Sequence, residues 1–74
     1  MIIFKEIKVL NGYIYALVTD LESNKVSKVK ISLTKEEYNF DTEYTGDMIK
    51  ALWVLKREIN KCNKCPEEYT VYWG

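Results

Sequence analysis

The sequence predicts an α+β domain: a three-stranded antiparallel β-meander plus a short C-terminal strand, with one face of the sheet covered by a single main α-helix. Three observations carry this. Asn11-Gly12 separates two alternating segments, Glu22-Ser23-Asn24-Lys25 makes a second polar turn, and a helical stripe of apolar residues follows residue 46.

The first hairpin joins strands at about 2–10 and 13–21. Asn-Gly is the preferred pair for a type I′ turn, because both of its central residues need φ > 0. A two-residue loop there pairs Leu10 with Tyr13, Val9 with Ile14, Ile7 with Ala16 and Ile3 with Asp20. A four-residue loop at 22–25 leads into a third strand at about 26–33 and pairs Val18 with Val29, Ala16 with Ile31 and Ile14 with Leu33. Both registers place Ile3, Ile7, Val9, Ile14, Ala16, Val18, Val29, Ile31 and Leu33 on one face. A one-residue slip would turn every side chain over, so this agreement is what defines the core face. The opposite face then carries Phe4, Glu6, Lys8, Leu10, Tyr13, Tyr15, Leu17, Thr19, Lys28, Lys30 and Ser32.

Thr34-Lys35-Glu36-Glu37 has the form of a capping box and predicts a single helical turn, followed by a loop to Gly46. From about 47 to 62, Met48, Leu52, Leu55, Ile59 and Cys62 recur at alternating spacings of four and three, with Ala51 beside them. That is the period of a helix with one buried face, started by Thr45 or by Gly46-Asp47. A turn around Pro66 leads to a short alternating strand at about 69–73, which joins one edge of the meander.

A chain of 74 residues makes one domain, close to the size at which a single core just suffices. Apolar residues make up 47% of it and proline and glycine are few, which excludes a disordered class. Eleven basic and eleven acidic side chains cancel, so no global field points to nucleic acid or to a membrane. No membrane-spanning run and no targeting segment is read, and the expected location is cytoplasmic. There is no histidine, the commonest general base and metal ligand. No serine lies in a nucleophile-elbow context either, so neither catalysis nor a cofactor is expected.

Four constellations remain. Cys62-Asn63-Lys64-Cys65-Pro66 has the spacing of half a zinc site, which only a symmetric dimer would complete with four thiolates. The plainer expectation is a core-packed Cys62 with a partly exposed companion, and a disulfide is the third reading. Residues 36–47 hold five carboxylates (Glu36, Glu37, Asp41, Glu43 and Asp47) with Tyr38, Phe40 and Tyr44 interleaved and no basic residue. That run reads either as an acidic docking surface or as a solvated segment whose aromatics cap the core. On the helix, Trp53 and Ile49 fall off the buried stripe and share the outward side with Lys50, Arg57 and Lys61. Tryptophan beside arginine is the composition of an interface anchor, unless the 34–46 segment covers it. On the outer sheet face, Tyr13 and Tyr15 lie near Lys8, Lys28 and Lys30, the ingredients of a single-strand-binding sheet, with Glu6 opposing the pattern.

The functional expectation is a small non-catalytic interaction module. Its partner is a protein or a second copy of itself, bound through Trp53, Ile49, Arg57, Tyr13, Tyr15 and Leu17. Small accessory and inhibitor proteins of mobile elements share this size and this paucity of catalytic groups. Single-stranded nucleic acid on the outer sheet face is the alternative partner.

Overall fold

The computed structural model describes residues 1–72 of the chain. Five strands and one helix follow in the order β1 (Ile2–Leu10), β2 (Tyr13–Asp20), β3 (Lys25–Ser32), β4 (Tyr38–Phe40), α1 (Gly46–Cys62) and β5 (Tyr69–Val71). The strands form one antiparallel sheet in the order β4-β3-β2-β1-β5, with β2 at its centre. The α+β class and the central meander are as the sequence predicts. The sheet has five strands rather than four, and β5 joins the β1 edge. Trp73, which ends the predicted C-terminal strand, lies outside the described residues.

Asn11 (φ 51°) and Gly12 (φ 80°) take the positive φ values that their turn requires, and Leu10↔Tyr13 and Val9↔Ile14 pair as expected. Beyond Lys8 the expected register fails. Glu6 adopts φ 52° at a bulge, after which Lys5 pairs with Leu17, Phe4 with Val18 and Ile2 with Asp20. Simple alternation from Ile3 to Ile7 would aim Lys5 into the core. A non-glycine residue in the left-handed region costs about 1–2 kcal/mol, whereas an unpaired buried ammonium costs several. The bulge turns Lys5 outward and brings Ile2 and Phe4, both fully buried, under the helix in place of Ile3. Ile3 is only half-buried, and Val9, on the core side but near the rim, is 39% exposed.

The second hairpin is two residues out of the expected register. Its loop is 21–24, Asn24 takes φ 58°, and Val18 faces Ser27, Ala16 faces Val29 and Ile14 faces Ile31. A shift of two conserves the faces, so Val29 and Ile31 remain buried, while Leu33 falls past the strand end and is half-buried. The predicted helical turn at 34–37 does not form. Ser32, on the outer face as expected but buried, caps this bend instead, its hydroxyl accepting from the backbone N–H of Thr34 (3.2 Å) and Lys35 (3.0 Å). The chain then returns as β4, with Ile31↔Tyr38 and Val29↔Phe40, where a loop was expected. Past β4, Asp41 and Thr42 take over the edge of β3: the Asp41 carboxylate accepts from Lys28 N–H (2.8 Å) and the Thr42 hydroxyl donates to Val26 C=O (3.0 Å).

Helix α1 starts at Thr45, whose hydroxyl accepts from Met48 N–H (3.1 Å) and donates to Asp20 (2.8 Å). The same Asp20 carboxylate accepts from Glu22 N–H (3.0 Å) and Ser23 N–H (3.4 Å), so one side chain, 3% exposed, ties the β2–β3 turn to the helix start. Met48, Ala51, Leu52, Leu55 and Ile59 pack on Ile2, Phe4, Ile14, Val18 and Ile31 as one continuous core. Asn63 (φ 53°) ends the helix in a left-handed cap, its N–H donating to Ile59 C=O. Cys62, expected at the end of the buried stripe, is exposed: it falls on the last turn, beyond the sheet's cover. No helix among the described residues is long and apolar enough to cross a membrane.

Candidate functional site

One face of the sheet lies under α1 and the other is open. The register sets the open face out in rows running across the strands. Lys8, Tyr15 and Lys30 form one row, and Lys5, Leu17 and Lys28 the next. Beside them run Leu10, Tyr13 and Ser32 on one side, and Ile3, Thr19 and Val26 on the other. The central strand therefore presents Tyr13, Tyr15 and Leu17 as an apolar ridge, half-buried to exposed, with lysines on both sides. Tyr15 is 36% exposed, and Tyr13 and Leu17 are half-buried.

The bulge also decides the charge of this face. Unbroken pairing would have set Glu6 opposite Leu17, and the structure sets Lys5 there instead. Lys5 is the site residue that simple alternation misses. The signal for it is that a lysine sits where alternation would bury it. Glu6 still borders the shallow cavity of about 230 Å³ lined by Lys8, Tyr15, Leu17 and Lys28. The Lys30 ammonium lies 4.3 Å from the Tyr13 ring centroid and 5.8 Å from that of Tyr15, bridging the two aromatics by cation–π attraction. A second cavity of about 270 Å³ opens beside this pair, between Tyr13, Lys30, Glu37, Tyr38 and Asn39.

The helix residues lie in the other layer. Trp53 is half-buried, packed on the core's margin with its ring edge-on to Tyr38 at 5.8 Å and the Lys56 ammonium 5.3 Å over its face. β4 thus brings the covering residue that the sequence left open. Ile49 is half-buried and Arg57 exposed, so the helix flank offers cations beside a tryptophan already in use.

The acidic run is divided among local tasks. Lys28 N–H and the Ser27 hydroxyl hold the Asp41 carboxyl below the usual carboxylate range, against the opposing effect of desolvation. Glu43 pairs with Lys25 at 3.1 Å, and Asp47 stands in the first turn of α1. Glu36 and Glu37 are exposed. Phe40 is half-buried on the core and stacks on Tyr44 at 4.5 Å, so the aromatics in this run serve packing.

Cys62 and Cys65 are both free and exposed at the far end of the helix. Among the described residues no three histidine, cysteine or carboxylate side chains are grouped as a metal shell. No protein-family model, curated protein or solved structure matches the chain.

Proposed function

We propose that this chain is a non-catalytic protein-interaction module that docks a larger partner on the open face of its sheet and acts by occluding the surface it covers. The observation that supports this is the ridge of Tyr13, Tyr15 and Leu17 on the central strand, flanked across both neighbouring strands by Lys5, Lys8, Lys28 and Lys30. A central aromatic and aliphatic patch excludes water and supplies affinity, while a charged rim supplies orientation and association rate. The rim's sign selects a partner with an acidic surface. Trp53, Ile49 and Arg57 are secondary in this reading, because Trp53 already serves the core margin.

The test is affinity purification from the source cell with the parent chain and with Tyr15→Glu and Leu17→Glu, both at outward positions of a folded strand. A partner held by the parent and by Arg57→Ala, but released by both sheet variants, supports the reading. Release by Arg57→Ala with retention by the sheet variants would move the interface to the helix. A second copy of this chain as the sole occupant would show as a dimer in native mass spectrometry that Leu17→Glu dissociates.

One observation favours a second reading, single-stranded nucleic acid. Lys30 lies between two tyrosine rings, so a phosphate contact and two stacking surfaces are adjacent. This reading requires oligonucleotide binding that weakens steeply between 50 and 200 mM salt, as counterion release demands, and that fails in Lys28→Gln/Lys30→Gln.

A further inference from the structure

We propose that the occupant of the open sheet face is an α-helix of a partner protein, laid along β2, with an apolar stripe toward the sheet and a column of carboxylates down each flank. This inference rests on the docking role proposed for that face. The register lays out what such a helix needs. Tyr13, Tyr15 and Leu17 form one column on β2. Lys8 and Lys5 stand beside Tyr15 and Leu17 on β1, and Lys30 and Lys28 stand beside the same two residues on β3. All of these lysines are exposed. The bulge completes the pattern. It takes up one extra residue between Lys5 and Lys8, so that two lysines three apart in sequence face Leu17 and Tyr15, only two apart.

The dimensions select a helix. Neighbouring strands lie about 4.8 Å apart and residues on one face of a strand repeat about every 6.7 Å, so the two lysine columns stand about 10 Å apart. A helix is about 10–12 Å across with its side chains, and residues four apart along it rise by about 6 Å. Glutamates at i and i+4 on each flank therefore meet both lysines of a column, while the stripe between them rests on Tyr15 and Leu17. An extended segment sends its sheet-facing side chains into a single column, so it reaches the ridge or one lysine column but not all three. A second copy of this chain does not supply the charge. Two open faces would oppose lysine to lysine, and α1 exposes Lys50, Arg57 and Lys61. Glu6 is the opposing feature: it borders the cavity of about 230 Å³ beside Lys8, Tyr15, Leu17 and Lys28, and repels an incoming carboxylate.

The experiment is fluorescence polarisation of labelled peptides of about 15 residues, titrated with the whole chain. One is a side-chain-stapled helix with a leucine stripe flanked by glutamates. The second has the same composition reordered to strict alternation, and the third is the stapled helix with lysines in place of the glutamates. The expected result is one-to-one binding of the acidic helix, about 10-fold tighter than either control and weakening with salt. Leu17→Glu should lower that affinity by about 10-fold or more, and Glu6→Gln should raise it. The double variant Lys8→Glu/Lys28→Glu, altered only at exposed positions, should release the acidic helix and take the lysine-flanked one. An unchanged far-ultraviolet circular dichroism spectrum establishes that each variant folds. Equal binding of the alternating peptide, with both peptides lost in Leu17→Glu, overturns the helical occupant and leaves the docking face standing. Binding that ignores both Leu17→Glu and the charge reversal overturns the face as well. Failure of the acidic helix to bind, or tighter binding of a single-stranded oligonucleotide, also overturns the proposal.

Discussion

Removing the Asp20 carboxylate tests the idea that one side chain joins the β2–β3 turn to the start of the helix. It accepts three hydrogen bonds, from the Thr45 hydroxyl and from the backbone N–H groups of Glu22 and Ser23. Hydrogen bonds to a charged group contribute about 1.5–3 kcal/mol each when well formed, and less where water can replace the lost partner. The turn N–H groups of Glu22 and Ser23 are near solvent and recover part of their loss. Asp20→Ala is therefore expected to cost about 3 kcal/mol. With an unfolding entropy of about 2.1 cal/mol/K per residue over 74 residues, each kcal/mol is worth about 6 °C, so Tm should fall by about 15–20 °C. Thr45→Ala removes an N-cap and should cost about 1 kcal/mol. Because the two side chains bond each other, the double variant should lose about 1 kcal/mol less than the sum of the two.

The pH dependence supplies an independent arm. Burial opposes ionisation of Asp20, but the bonds from Thr45, Glu22 and Ser23 outweigh it and hold the folded pKa below the ordinary aspartate value. The stabilisation is therefore fully present above the unfolded pKa of about 3.9 and is lost as pH falls through the lower folded value. Asp20→Asn should flatten this acid limb, leaving the part that belongs to Asp41, whose pKa is also depressed. Urea unfolding followed by circular dichroism from pH 7 to pH 2 measures all of this. A cost for Asp20→Ala below about 0.5 kcal/mol, the range of neutral surface changes, would refute the reasoning, as would strict additivity with Thr45→Ala.

Three further outcomes are expected. Phe4→Ala should destabilise by about 3–5 kcal/mol and Ile3→Ala by well under half of that, an order that unbroken alternation in β1 would reverse; chemical denaturation of both variants decides it. Trp53→Ala should cost about 2 kcal/mol, less than a fully buried aromatic, because the side chain is only half-buried; a neutral effect would return Trp53 to the free surface. Asn63→Gly should be neutral to slightly stabilising and Asn63→Ala destabilising by about 1 kcal/mol, since only the former accepts the left-handed cap; thermal melts of the pair measure the difference.

What was legible in the sequence was whatever local chemistry dictates. Asn11-Gly12 specifies its turn through φ, and the Met48-Leu52-Leu55-Ile59 spacing specifies the helix face. The second hairpin tolerated a two-residue error because the period of a strand is two, so Ile14, Ala16, Val29 and Ile31 stayed inward in either register. Less local features were hidden. The bulge is a tertiary bargain between a strained Glu6 and an otherwise buried Lys5, and no turn signal marks it. β4 is three residues long, too short for alternation to show, and the Thr34–Glu37 pattern just before it reads as a capping box for a helical turn. For the site, the tyrosine ridge and three of its lysines could be read from the alternation of β2, β3 and the C-terminal end of β1, whereas Lys5 depended on the bulge. For Trp53 the sequence leaves an interface anchor and cover by the 34–46 segment both open, because the covering residue, Tyr38, lies in a strand too short to announce itself.

The two margins of the sheet are finished differently, and this bears on how the protein behaves when crowded. On the far side, β4 pairs with Val29–Ile31, and past it the Asp41 carboxylate and the Thr42 hydroxyl occupy Lys28 N–H and Val26 C=O, so β3 is shielded beyond the end of β4. On the β1 side, β5 pairs only with Ile2–Phe4 and Glu67 C=O accepts from Ile7 N–H, so among the described residues nothing pairs with 8–10 from outside. That stub carries Val9 and Leu10, the latter 59% exposed, with Lys8 as its sole charge. A lone lysine is the usual deterrent against edge-to-edge growth. Acetylating or neutralising Lys8 should convert this corner into a nucleus for self-templated fibre formation.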